Sequence, residues 1–283
     1  MVLSIRRDFS LGLESPGKLR TLVNLMRYMI NFRIFIFLGL FVSSLQHSSC
    51  EGAGLAMHPM EQHVIPTKSA VYIASNQQDK AIAVEVIIER WTITEEGEEK
   101  REVTNELVAY PSQFILKGHT FKKIKVGLRH PVHNLDCEKC YRVTIRELPI
   151  SLEPEPPGTY RIYQASAYRT SYYLQPRSGQ PNLELIEIKF HNSILTTRFR
   201  NSGTIHCHLR NPELILTTRS GQRIKIDDEE VLKSINGENM HAKITRIFHF
   251  DLAQIELPQD IVGGSLQFKD QGFLENKTFQ LNW

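Results

Sequence analysis

The sequence predicts an all-β protein built as two β-sandwiches in tandem, and three observations carry that reading. Apolar residues recur at a period of two through most of the chain. Clusters of Gly, Pro, Asn and Asp separate these runs, and only one short stretch, "DDEEVLKSI", has a helical pattern. A wound parallel sheet would need a helical crossover between successive strands, and the chain offers none. At 283 residues, 41% hydrophobic and 23% charged, the composition is that of a globular protein with a substantial core. The formal net charge is +3, with Lys and Arg scattered along alternating strands. A nucleic-acid binder would gather them into a patch, so that class is disfavoured.

Residues 1–50 read as a leader. The apolar block "IFIFLGLFVSSL" at 34–45 follows Arg27 and Arg33 and precedes small polar residues. It is shorter than the ~20 residues of a membrane span, so a signal peptide is expected, with a retained membrane anchor as the alternative. About twenty-five mixed residues precede this pattern, and Met26 or Met29 would make a more usual start. Export would place the mature chain outside the cytoplasm and free of the membrane.

The strands follow in order. Ala70–Ala74 is the first. In "KAIAVEVIIERWTI", Ile82, Val84, Val86 and Ile88 share one face, with Glu85, Ile87, Glu89 and Trp91 on the other. Pro111 in "AYPSQF" has no N–H for a ladder, so this segment must bend or lie at an edge, which lets a sandwich strand change sheets. Gly118 supplies a tight turn into Thr120–Leu128. In "YRVTIRELP", Tyr141, Val143 and Ile145 alternate with polar residues before Glu147-Leu148-Pro149 stops the strand. A long strand, Tyr160–Leu174, follows the loop "SLEPEPPGT". "QPRSGQP", residues 175–181, has the composition of a linker. It leaves modules at 51–174 and 182–283, about 125 and about 100 residues, each the size of a seven-stranded immunoglobulin-like sandwich. Leu183–Phe190, Ile194–Arg200, Glu213–Thr218, Lys243–Phe248 and Ser265–Lys269 are the strands expected in the second. "TEEGEEK" reads as a solvated hairpin.

Catalytic chemistry is not evident. There is no phosphate-cradling glycine loop, no G-x-S-x-G elbow and no H-E-x-x-H, so an enzyme is not expected and no cofactor is implied. His206 and His208 would share one strand face with Cys207 opposite. No third or fourth ligand can be named, so the expectation is no metal site, with an exposed histidine pair flanking a buried thiol. Of four cysteines, Cys137 and Cys140 are the only close pair. Zinc would need a second pair. In an exported chain a local disulfide is expected, with two free thiols as the alternative.

Taken in order, "TKSAVYIASNQQDKAIAVEVIIERW", "LVAYPSQFILKGHTFKKIKVGL", "CYRVTIRELPI" and "YRTSYYLQP" resemble the periplasmic pilus-assembly (PapD-like) chaperones of the chaperone-usher pathway. "LTTRFRNSGTIHCHL" resembles that family's second domain. The resemblance spans about residues 55–177 and lies nearer the archaic or alternative branch. It implies two immunoglobulin-like domains around an interdomain cleft in a periplasmic protein. Its partners would be pilus subunits and an outer-membrane usher, with self-capping dimers as a further option. Such chaperones complete an unfinished subunit fold by adding their own last first-domain strand. Here that strand would present Tyr163, Ala165 and Ala167 on one face, or Ile162 on the other. The family anchors the subunit carboxylate with two basic residues. This chain has Met60 and Ser171 at those places, which leaves Arg169 as the expected anchor. The resemblance also implies an interdomain contact for Glu147, with Arg177 as the nearest partner. The rival reading is an exported immunoglobulin-like surface or adhesion protein.

Overall fold

The computed structural model describes residues 54–152, 165–269, 274 and 277–283, and Gly52–Trp283 forms one compact unit. The first sandwich contains β1 (Leu55–His58), β2 (Glu61–Val64), β3 (Ala70–Asn76), β4 (Ile82–Ile93), β5 (Glu99–Val103), β6 (Leu107–Tyr110), β7 (Gln113–Leu116), β8 (Phe121–Leu128), β9 (Lys139–Glu147) and β10 (Ala167–Leu174). One sheet has the order β1-β3-β8-β6. The other has the order β2-β10-β9-β4-β5, with β7 also on β4. The inward faces are those the alternation predicts. Ile82, Val84, Val86 and Ile88 meet Tyr141, Val143 and Ile145, all buried, together with Tyr172 and Leu174.

Two prolines make the sheet changes. Tyr110–Pro111 is a cis peptide lying between β6, which pairs with β8, and β7, which pairs with β4 in the opposite sheet. The sequence predicts this switch. His58–Pro59, also cis, divides β1 from β2 in the same way, so that β1 lies on β3 and β2 lies parallel to β10. Gly118 matters for space rather than for φ. A Cβ there would strike the backbone of Asp79, and the positive φ belongs to His119.

The second sandwich contains β11 (Leu183–His191), β12 (Ile194–Asn201), β13 (Cys207–Leu209), β14 (Pro212–Thr218), β15 (Arg223–Ile226), α1 (Glu229–Leu232), β16 (Glu238–Met240), β17 (Thr245–Asp251), β18 (Ile261–Phe268) and β19 (Thr278–Asn282). Its sheets run β11-β12-β17, β13-β16 and β15-β14-β18-β19. Phe199, Phe248, Phe250 and Phe268 fill its core. The helical pattern around residue 230 becomes the single turn α1, whose N-terminal amides donate to the Asp228 carboxylate at 2.8 and 3.3 Å.

Both sandwiches use a buried asparagine as a clasp at the end of a strand. Asn76 donates to the carbonyls of Lys80 and Leu116 and accepts from Gln78 N. Asn201 donates to Ile205 O and Met240 O and accepts from the amides of Asn182 and Gly203. An amide side chain has two donors and an acceptor, and here it stitches irregular loop backbone that has no ladder partner.

The "TEEGEEK" hairpin is not simply solvated. Its tip crosses to the second sandwich, where the Glu95 carboxylate takes Arg198 Nη2 at 2.9 Å and Glu95 O accepts Ile247 N at 2.8 Å. A turn with two pairs of glutamates around a glycine reads as solvent-facing only when no partner for them is known.

Candidate partner-binding strand and interdomain cleft

β10 is the strand on which the expected function turns. Its register with β9 is continuous from Ala167 opposite Arg146 to Leu174 opposite Lys139. On its other side β2 covers only Ser171–Leu174. The backbone direction follows from two hydrogen bonds: Ser171 N reaches Met60 O, away from β9, whereas Ser166 O accepts Glu147 N from the β9 side. Odd-numbered residues of β10 therefore aim their N–H and C=O away from β9. At Ala167 and Arg169 those groups face an edge that carries no strand among the described residues.

Side chains alternate accordingly. Ala165, Ala167 and Arg169 are exposed, Tyr168 packs against the core, and Thr170 and Tyr172 are buried. Arg169 forms no ion pair among the described residues. Ile162 and Tyr163 lie outside the described residues, as do the leader and most of "SLEPEPPGT".

The outer face of the same sheet carries a cation that sequence reading passed over. Arg142, opposite Ser171, donates from Nη1 to Ser171 Oγ at 2.6 Å and from Nη2 to the Glu99 carboxylate at 2.6 Å. Its guanidinium lies over the Trp91 ring, 3.6 Å from the centroid. Met60 and Ser171 are joined by the Ser171 N to Met60 O bond, and Arg142 is the cation beside that pair. Its signal in the sequence was only a polar residue in an alternating strand. The pairing that gives it meaning is made with residue 171, far along the chain.

The contact between the sandwiches centres on Glu138. Its buried carboxylate accepts His206 Nδ1 at 2.8 and 2.9 Å, His206 N at 3.2 Å, Gln175 Nε2 at 2.8 Å and the Cys140 thiol at 3.4 Å. Since an ionised carboxylate can only accept, Nδ1 carries the proton. The His206 ring stacks on Tyr173 with centroids 3.8 Å apart, and Asn239 Nδ2 donates to Tyr173 Oη at 2.6 Å. Trp91, Cys140 and Tyr173 form a small apolar cluster here, with His241 set edge-on to Trp91 at 4.2 Å. Burial holds the His241 ring well below the usual imidazole range, at about 3.

This corrects the expected interdomain glutamate. Glu147 stands at the opposite end of β9 from the linker, since Lys139 is the residue that faces Leu174. Eight residues at ~3.3 Å each put about 26 Å between those ends. No ion pair joins Glu147 to Arg177 among the described residues. Arg177 instead lines the cleft beside His63, His206 and His208.

The disulfide expectation is corrected as well: Cys137, Cys140 and Cys207 are free. Cys140 points from β9 into the cluster with Trp91 and Tyr173, while Cys137 sits half-buried in the preceding loop. Burial raises both thiols, Cys140 the more strongly. Cys207 lies inside the second core with its thiol pushed up to about 12, while the histidines on either side of it face the junction. His206 is buried rather than exposed.

His63 on β2 lies beside this stack, its ring 5.2 Å from that of Tyr173 and 5.3 Å from that of His206. Its Nε2 lies 2.7 Å from Glu61 Oε1, and His208 Nε2 is 3.5 Å from Glu61 Oε2. The His208 and His63 rings beside it hold Glu61 far below the usual carboxylate range, and the Glu61 carboxylate raises His63.

No family model and no curated protein matches the sequence. Solved structures do match. The class 5 fimbriae chaperone CfaA is 13% identical with a TM-score of 0.53, over 81% of this chain and 98% of that one. The CsuC–CsuE chaperone–tip subunit pre-assembly complex from archaic chaperone-usher Csu pili of Acinetobacter baumannii contains a chain 10% identical, with a TM-score of 0.53, over 80% and 97%. The Salmonella enterica complex of SafA pilin with the SafB chaperone gives 13%, a TM-score of 0.51, and 81% and 96%. The class this defines is a two-domain immunoglobulin-like β-sandwich protein with an interdomain cleft. More particularly, the fold is the one seen in fimbrial chaperones, as the ordered motifs of the sequence led us to expect.

Proposed function

We propose that this protein is a periplasmic chaperone that binds pilus subunits by adding β10 to their incomplete sheet and passes them to an outer-membrane usher. The observation that carries the reading is the open edge of β10 at Ala167–Thr170, beside a strand half that β2 already covers. A subunit strand docking there would gain main-chain hydrogen bonds from Ala167 and Arg169. Tyr163, Ala165 and Ala167 would form the face that plugs the subunit groove, because Tyr168 on the other face is committed to the core. Arg169 would anchor the subunit carboxylate, with Arg142 as the second nearby cation.

In this reading residues 1–50 are a cleaved leader, 51–174 and 182–283 are the two modules, and 175–181 is the linker. Function needs no cofactor and no catalysis, since release is driven by exchange of one strand for another. Among the described residues no helix is long and apolar enough to cross a membrane.

The test is co-purification from the periplasm with the small secreted proteins encoded beside it, comparing wild type with Tyr163→Asp, Ile162→Asp and Arg169→Ala. A stoichiometric partner lost in Tyr163→Asp and weakened in Arg169→Ala is expected. A folded protein that captures none and reaches the cell surface would instead support the adhesin reading.

A further inference from the structure

We propose that the junction between the two sandwiches is a transition-metal site, suited to zinc(II), formed by Glu61 and His63 of β2 with His206 and His208 of the second sandwich. The ligand atoms of Glu61, His63 and His206 all lie within 4.8 Å of one another. His208 Nε2 is buried without a hydrogen-bond partner 3.5 Å from Glu61 Oε2, outside that three-residue cluster but beside it, so that a shift of its ring would bring it in as the fourth donor.

The surroundings suit a metal better than a bare polar cluster. His206 donates its Nδ1 proton to the Glu138 carboxylate, which leaves Nε2 as the free donor and fixes the ring plane. A histidine held by a carboxylate in this way is the usual second layer of a metal site, because it sets the tautomer and the ring direction and raises the basicity of the ligating nitrogen. Three imidazoles and one carboxylate match zinc, whose ligands stand at ~2.0–2.2 Å in a tetrahedron, and do not match calcium or magnesium, which take oxygen donors. A tetrahedron with bonds of ~2.1 Å sets its donor atoms ~3.4 Å apart, so the wider pairs must close while Glu61 and His63, now 2.7 Å apart, must part slightly. His63, the exposed member, would make most of that movement by giving up its hydrogen bond to Glu61.

Only the His206–His208 spacing was visible in the chain. Glu61 and His63 come from a strand that precedes them by more than 140 positions and belongs to the other sandwich. The bound ion would tie β2, the strand that caps half of β10, to β13, and so restrain the angle between the sandwiches. The inference does not depend on the chaperone reading, because it concerns the protein without a subunit.

The experiment is calorimetric titration of chelator-stripped full-length protein with zinc chloride at pH 7.5, alongside His63→Gln, His208→Gln and, as a control, His130→Gln/His133→Gln. His130 and His133 are exposed loop residues outside the cluster. One zinc per chain is expected, with affinity at least tenfold weaker in His63→Gln and His208→Gln and unchanged in the control. Both test variants leave the Glu138–His206 bond in place. If one fails to fold by circular dichroism, the other decides. Absence of one-equivalent binding, or equal affinity in a folded test variant and wild type, would overturn the site.

Discussion

Glu138 of the first sandwich and His206 of the second share a buried hydrogen bond, with Nδ1 at 2.8 Å from one carboxylate oxygen and 2.9 Å from the other. Their side chains are 0% and 4% exposed, so neither group has water as an alternative partner. Gln175 at the start of the linker and the His206 amide complete the carboxylate's acceptors. Glu138→Ala would leave all these donors facing an apolar void. We expect a loss of about 3–5 kcal/mol of unfolding free energy. Urea unfolding followed by tryptophan fluorescence measures it, since Trp91 lies in the adjoining cluster.

Asn201 closes the loop that carries Gly203 and Ile205. Asn201→Ala strands two buried carbonyls and two amides, and a loss of roughly 2–4 kcal/mol is expected. Asn201→Asp keeps the acceptor but sets a buried carboxylate oxygen against the Ile205 and Met240 carbonyls, so it should be no more stable than Asn201→Ala. A melting series of the three proteins tests the ordering.

Gly97 has φ +93°, and a Cβ there would meet the Arg246 guanidinium, whose Nη1 donates to Glu238 Oε2 at 2.5 Å. Gly97→Ala combines left-handed backbone strain of ~1–2 kcal/mol with displacement of that arginine. The expected outcome is a lower melting temperature, with greater protease sensitivity between the sandwiches. Gly221→Ala, where a Cβ meets nothing, separates the strain from the displacement.

His241 predicts acid lability. Burial lowers its pKa from 6.5 to about 3, with His206, Arg142, Arg246 and His208 acting in the same direction. Between those values the unfolded chain holds a proton that the folded protein does not. Stability therefore falls as pH drops through this window, with a slope approaching ~1.4 kcal/mol per pH unit from this group. Glu61, lowered from 4.5, adds to the fall below that pH, whereas raised His63 contributes stability that is present below 6.5 and lost as pH rises. His241→Phe should flatten the decline between pH 6.5 and 4.5, as measured by urea midpoints across pH.

Ala167→Pro tests the open strand edge directly. The Ala167 N–H points away from β9, so the substitution spares the β9 ladder while removing a donor from the free edge. Subunit capture should drop at least tenfold, with little change in melting temperature. Retained capture would mean that the partner does not add along this edge.

Much of the first sandwich was readable along the chain. Its strands announce themselves by alternation at Ile82–Ile88 and Tyr141–Ile145, and Pro111 marks a change of sheet because it has no N–H to give. β13, β15, β16 and β19 were not foreseen, since three to five residues hold too few periods for alternation to stand out. The second proline switch, at Pro59, was hidden for the same reason, because β1 and β2 are four residues each.

The sequence by itself determined what each strand could bury, where it had to stop, and the all-β two-sandwich plan, because these depend on local periodicity and on backbone chemistry within a few residues. Only the tertiary structure decided which charges meet. Glu138 rather than Glu147 became the junction glutamate because antiparallel pairing with β10 puts the start of β9, and not its end, beside the linker. Arg142 gained its role from Ser171, and His206 gained Glu61 and His63, through strand pairing and sandwich docking. Those partners are fixed by register and by the angle between two sheets, and neither quantity is written in the spacing of residues along one strand.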